Sequence, residues 1–207
     1  VSAPGHPSGE ELNPGEVTEA RQAASLILLR DSAEGAEVLL VQRNPEQRFM
    51  GGAWVFPGGA VHAGEDADHA AAAVRELEEE AGIALPADTE IVPFSRWITP
   101  EEVQTRFDTW FFAAVAPAGA EPRPDGAECV DARWLTPADA LRRHAQDELA
   151  LVFPTIKHLE QLTETRSVEE TLAAARSRTV EAVMPKVATH DGALQVLMPG
   201  DAGYEDA

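Results

Sequence analysis

Cysteine is almost missing from this chain: Cys129 is the only one in 207 residues. That excludes an intramolecular disulfide and any metal cage built from several thiolates, and a reducing cytoplasm is the expected setting. Positive charge is also short, with 16 Lys and Arg against 36 Asp and Glu and a formal net charge of −20. Duplex recognition relies on a basic face that neutralises phosphates, so nucleic acid is excluded as a partner. The same charge repels a polyphosphate substrate, and a site for one has to be made locally positive by metal ions or arginines. No apolar run approaches the roughly 18 residues that a membrane helix needs, so no membrane association is expected. The opening "VSAPGHPSGEELNPGE" has neither a basic n-region nor an apolar h-region, and residues 1–17 are expected to form a flexible, soluble leader.

What is present suits one well-buried domain, with 44% hydrophobic residues over this length. The runs "AASLILLR" and "AEVLLVQR" flank the turn-like "DSAEG", which predicts a hairpin of strands over residues 23–30 and 36–43. A helix is expected from about residue 68 to 81, with further strands at 91–98, 107–116 and 129–135. Helices follow at 137–143, 155–162 and 168–177, the last capped by Ser167 with Glu170 completing a capping box. "ALQVLMPGD" adds a final strand. Strands interrupted by helices predict an α/β (α+β) fold, a mixed β-sheet sandwiched between α-helices. The domain proper is expected over residues 18–150, with a helical C-terminal extension over 151–207 packed on it.

The stretch "RELEEEAG" crowds Glu76, Glu78, Glu79 and Glu80 into the last turns of the expected helix, just before Gly82. Like charges at i,i+3 and i,i+4 repel, and the negative end of the helix dipole adds to the cost. A bound cation reverses that sign. On a helical wheel Glu76, Glu79 and Glu80 fall within an arc of about 100°, beside an apolar arc of Ala70, Ala73, Val74, Leu77 and Ala81. Hard oxygen ligands at this spacing suit Mg²⁺ or Mn²⁺. A solvated acidic helix face is the competing reading.

Together with the residues upstream, "GGAVHAGED" and "RELEEEAGI" resemble the signature of the Nudix hydrolase superfamily, G-x5-E-x7-R-E-U-x-E-E-x-G-U with U apolar. Gly59, Glu65, Arg75, Glu76, Leu77, Glu79, Glu80, Gly82 and Ile83 take its specified positions. Nine residues separate Glu65 from Arg75 where the pattern has seven, which places the two extra residues in "EDAD" before the helix and leaves the role of Glu65 open. Just upstream, "LLVQRNPEQRFMGGAWVFPGG" is similar to the motif of coenzyme A diphosphatases in this superfamily, with Val41 in place of Thr and Asn44 in place of Ser or Ala. "WITPEEVQTRFDTWFF" and "DARWLTPADAL" resemble the peroxisomal coenzyme A diphosphatase branch and its bacterial relatives, a branch with a longer linker inside the box.

The resemblance implies the Nudix fold and metal-dependent hydrolysis of a nucleoside diphosphate linked to another moiety, with coenzyme A or an acyl-coenzyme A the leading substrate. ADP-ribose or another nucleotide sugar is the alternative, and a non-catalytic nucleotide-binding module a third. Glu76, Glu79 and Glu80 are the implied catalytic carboxylates. The same three and the Gly58 carbonyl are the implied ligands of Mg²⁺ or Mn²⁺, with Glu128 a further candidate ligand or base for which an exposed loop acid is the competing reading. Arg43 and Arg48 are candidate phosphate grips, because a guanidinium binds phosphate bidentately; an ion pair with the box carboxylates is an equal reading for Arg43. Arg75 is expected to fix a neighbouring carboxylate. Phe49 is a candidate adenine stack in a polar loop, whereas Trp54 and Trp97 are expected in the core. His62 and His69 lack ligand-like spacing and are expected at the surface. A monomer or homodimer acting on a small-molecule nucleotide in the cytoplasm is the expectation.

Overall fold

The computed structural model describes residues 11–13, 15–64, 66–190 and 193–206, so most of the expected leader, and Glu65, lie outside the described residues. The strands expected from the "LILL" and "VLLV" runs are β1 (Arg21–Ser32) and β2 (Gly35–Arg43). Successive side chains in a strand point to opposite faces, so an uninterrupted apolar run requires cover on both. Ile27, Leu29, Val38 and Leu40 share one face with Phe111 and Ala113 of β6 (Phe107–Val115), while Leu26, Leu28, Leu39 and Val41 share the other with Phe112 and Ala114.

The main sheet has eight strands in the order β3-β2-β1-β6-β5-β8, with β4 beside β1 and β7 beside β2; here β3 is Trp54–Val55, β4 Gly58–Ala60, β5 Val92–Ile98, β7 Cys129–Leu135 and β8 Ala182–Val183. The β1–β6 and β5–β8 pairs are parallel and the others antiparallel, which makes the sheet mixed. One face is covered by α1 (His69–Ala81) through Ala72, Ala73, Leu77 and Ala81. The opposite core takes Ala140 from α2 (Pro137–Ala145), Leu159 and Leu162 from α3 (Phe153–Leu162), and Val168, Leu172 and Ala175 from α4 (Val168–Arg176). The expected sandwich of sheet between helices is therefore present. Among the described residues no helix is long and apolar enough to cross a membrane.

Departures from expectation have local causes. Strands β3 and β4 are two and three residues long in a Gly- and Pro-punctuated segment, too short to show an alternating pattern, and exist because their backbone pairs with β2 and β1. Helix α3 starts two residues before position 155, with a proline in its first turn, where the missing N–H costs nothing. At α4 the Ser167 hydroxyl accepts from the Glu170 N–H at 3.2 Å, but the Glu170 carboxylate accepts from the Arg166 N–H at 2.8 Å, so the box expected on Ser167 is only half formed. Beyond the two helices of the C-terminal part come β8 and a separate two-stranded ribbon of β9 (Lys186–His190) and β10 (Ala193–Leu197).

His158 of α3 drew no notice in the sequence. It is 1% exposed among Phe56, Phe94, Trp97 and Phe111, with its Nε2 2.6 Å from the Ser95 hydroxyl. Its Nδ1 lacks a well-formed hydrogen bond. Burial pushes the imidazole down to about 4, the Pro154 carbonyl one turn earlier opposing only in part.

Candidate active site

Helix α1 is defined at both ends. The Asp68 carboxylate accepts from the Ala71 N–H at 2.9 Å, and Gly82 closes the helix in the left-handed region at φ 65°, its N–H on the Glu78 carbonyl. Between these caps the packing of Ala72, Ala73 and Leu77 on the sheet sets the rotation of the helix, and with it the direction of the acidic arc. Glu76 is 7% exposed and Glu80 2%, whereas the Glu79 side chain is 58% exposed. Two of the three carboxylates are thus buried, which excludes a merely solvated acidic face for them.

The strand beneath is shaped around those carboxylates. A Cβ on Gly59 would lie 2.6 Å from Glu76 Cδ, so only glycine lets the carboxylate approach. The Gly58 N–H donates to Glu80 Oε2 at 2.9 Å. Arg75 donates from one terminal nitrogen to Glu76 and Glu79, both at 2.8 Å, in the fixing role expected of it. Its remaining donors go to Ala60 and to Asp66, a residue that sequence reasoning passed over.

From the other side comes the loop before β7. The Asp125 carboxylate accepts from the Glu128 N–H at 2.9 Å and the Cys129 N–H at 2.8 Å, a tight turn that fixes Glu128. Burial works to raise the Asp125 pKa, but these backbone donors together outweigh it and leave the group below the usual carboxylate range. Glu76, Glu79, Glu80, Asp125 and Glu128 line one recess of about 230 Å³. Asp125 was legible in "PDGAEC" only as a turn residue, because its place beside the helix depends on the fold of the sheet.

Crowding and burial show in the titration of these groups. Burial raises Glu80 to about 7; the Gly58 N–H opposes, Glu76 raises it further and Arg43 opposes. Glu76 is also raised, by burial first, with Arg75 opposing. The Cys129 thiol, buried and beside Glu80, is pushed up. A recess lined by five carboxylates, with two of the acids resisting ionisation, has the donor chemistry of a site for a hard divalent cation. Among the described residues no three acidic, histidine or cysteine side chains already converge as a ligand set. Arg75 holds one oxygen of each of Glu76 and Glu79 and leaves the other oxygen of each carboxylate to an ion.

The three candidate substrate contacts differ in circumstance. Arg43 lies 4.0 Å from Glu80 and also donates to the Gln47 side chain and, at 3.3 Å, to the Phe49 carbonyl, so it braces the loop between β2 and β3. Arg48 is exposed and has no hydrogen bond or ion pair among the described residues. Phe49 is half-buried, its ring 5.4 Å from that of Phe107. Trp54 and Trp97 are in the core. His62 is exposed and His69 is half-buried with its Nε2 2.8 Å from the Gln22 side chain; neither lines the recess.

A family model described as the NUDIX domain matches residues 19–185. The crystal structure of a NUDIX hydrolase from Alicyclobacillus acidocaldarius superposes with a TM-score of 0.68 at 29% identity, over 79% of this chain and 98% of that one. The acyl-coenzyme A diphosphatase NUDT19 of Xenopus laevis is 27% identical over 120 residues, which are 55% of this chain and 32% of that protein. A putative 8-oxo-dGTP diphosphatase of Bacillus subtilis is 31% identical over 116 residues, 56% of this chain and 66% of its own length. The chain thus spans a third of the first of these two relatives and about two thirds of the second.

Proposed function

Because this chain belongs to the NUDIX family, we propose that it hydrolyses the diphosphate bond of a nucleoside diphosphate linked to another moiety, with coenzyme A or an acyl-coenzyme A as the preferred substrate. The acid-lined recess carries this reading, since buried carboxylates beside a bound diphosphate are tolerable only with cations between them. Nudix hydrolases generally use divalent metal ions, and here Glu76, Glu79, Glu80, Glu128 and the Gly58 carbonyl would hold Mg²⁺ or Mn²⁺. The bound ion would neutralise charge developing on phosphate oxygens and lower the pKa of attacking water. Glu79, the most exposed of the three helix carboxylates, would complete a second metal site or take a proton from water entering the recess. Arg48 is the available grip for a substrate phosphate, and Phe49 would stack on a base. Cleavage of coenzyme A would yield adenosine 3′,5′-bisphosphate and 4′-phosphopantetheine. We read residues 18–150 as the hydrolase unit with 151–207 packed on it, working in the cytoplasm as a monomer or homodimer.

The coenzyme A preference is supported by the arginine-bearing loop before the box and by the likeness to NUDT19. The test is turnover with Mg²⁺ and Mn²⁺ on coenzyme A, acyl-coenzyme A, ADP-ribose and 8-oxo-dGTP, with products identified by mass. Glu76→Gln and Glu80→Gln are each expected to lower kcat by about 10² or more with the fold intact, because the lost charge positions the ion. Activity within a few-fold of wild type removes those residues from the mechanism. Faster turnover of ADP-ribose or 8-oxo-dGTP than of coenzyme A overturns the substrate choice.

A further inference from the structure

Arginine has five N–H donors, and in Arg75 all five are matched. Nε and Nη2 meet the two carboxylate oxygens of Asp66 at 3.0 and 3.1 Å, Nη2 also meets the Ala60 carbonyl at 3.0 Å, and Nη1 meets Glu76 and Glu79. Asp66 is itself held: its carboxylate accepts from the His62 N–H at 2.8 Å, its own N–H donates to the His62 carbonyl at 3.0 Å, and its side chain is 4% exposed. The side-on pair of guanidinium and carboxylate is the strong, directional form of this interaction. Asp66 falls within the stretch that lengthens the box and occupies no specified position of the pattern.

The charges here are unequal partners. Arg75 brings one positive charge within hydrogen-bonding distance of two carboxylates that the proposed function needs for a cation. If nothing else balanced it, the guanidinium would neutralise half of their charge and compete with the ion for their oxygens. Asp66 balances it from the far side and ties down two of its nitrogens. We propose that Asp66 is a positioning residue that neutralises and orients Arg75, so that Glu76 and Glu79 keep their charge and freedom for the divalent ion. This rests on the reading of the recess as a metal-dependent hydrolytic site.

The test is Mn²⁺ binding measured calorimetrically without substrate, on the full chain, for wild type, Asp66→Asn, Asp66→Glu, Arg75→Gln and the Asp66→Asn/Arg75→Gln double variant, with metal-free melting to confirm folding. Asp66→Asn is expected to weaken Mn²⁺ binding at least about tenfold, and Asp66→Glu, which keeps the charge, by no more than a few-fold. In the Arg75→Gln background the Asp66 substitution is expected to change affinity by less than about twofold, since Asp66 acts through Arg75. A merely structural brace would show its coupling to Arg75 in the metal-free melting temperatures and leave the Mn²⁺ affinity of the folded variants unchanged. The proposal falls if Asp66→Asn binds Mn²⁺ like wild type, if its penalty persists without Arg75, or if Glu65→Gln weakens binding as much as Asp66→Asn. Should Asp66→Asn not fold, a loss of affinity in Asp66→Glu as large as tenfold overturns it. A wild type that binds and hydrolyses while Asp66→Asn is indistinguishable from it sinks only this proposal; a wild type that neither binds Mn²⁺ nor turns over sinks the hydrolase reading with it.

Discussion

Arg43 and Arg48 come from the same motif-like stretch, yet only one has donors to spare. Arg43 is engaged with Glu80, Gln47 and the Phe49 carbonyl, whereas Arg48 is exposed and unpaired among the described residues. Coenzyme A carries a 3′-phosphate that its dephospho form lacks, and a charge-assisted contact to it is worth roughly 1.5–3 kcal/mol, about ten- to a hundredfold in kcat/KM. Wild type is expected to prefer coenzyme A over 3′-dephospho-coenzyme A by that factor and Arg48→Ala to lose most of the preference, which parallel kcat/KM measurements on the two substrates check. Equal rates on both in wild type remove the phosphate contact. At this scale the sequence was readable where chemistry follows chain spacing: Glu76, Glu79 and Glu80 share a helix face because of the helical period. Asp66 and Asp125 escaped notice because their partners, Arg75 and the Glu128 and Cys129 amides, are picked out by the way the chain turns there.

Elements were legible in proportion to their periodicity. The long strands and α1 fall within a residue or two of expectation, while β3, β4, β8 and β9 owe their existence to a neighbouring edge and have no pattern of their own. Helix α3 was expected as an element, but not that it would bury a histidine in an aromatic cage. The consequence is a pH dependence with a definite sign. Between its ordinary value of 6.5 and its folded value of about 4, the unfolded chain binds a proton that the folded His158 refuses, so this group subtracts stability as the pH falls through that window. A fully developed loss is about 3 kcal/mol. Glu80 acts in the opposite direction, because its raised pKa makes the folded state the better proton acceptor between about 7 and 4.5. The measurement is therefore a difference. Denaturant midpoints from pH 7 to 4 are expected to fall more steeply for wild type than for His158→Phe, and parallel curves would show that the imidazole titrates normally.

For the whole molecule, an excess of 20 negative charges works against compaction, and the recess concentrates part of that excess in one small volume. An ion that binds only the folded chain stabilises it by mass action, about 2.7 kcal/mol at a hundredfold excess over its dissociation constant. Mg²⁺ or Mn²⁺ is accordingly expected to raise the Tm of wild type, and Glu80→Gln to abolish most of that rise; an equal rise in both would place the stabilising ions elsewhere on the acidic surface. The lone thiol lies against this same region. Cys129 is 0% exposed at the start of β7, beside Glu80 and behind a loop whose Glu128 carbonyl is pinned by the Asn44 N–H. An alkylating reagent reaches that sulfur only when the packing around the start of β7 opens, so the rate of modification is a clock for local opening beside the recess. With no second cysteine to confuse the signal, the unaltered chain carries its own stopwatch for how often the wall beside its acid-lined recess breathes.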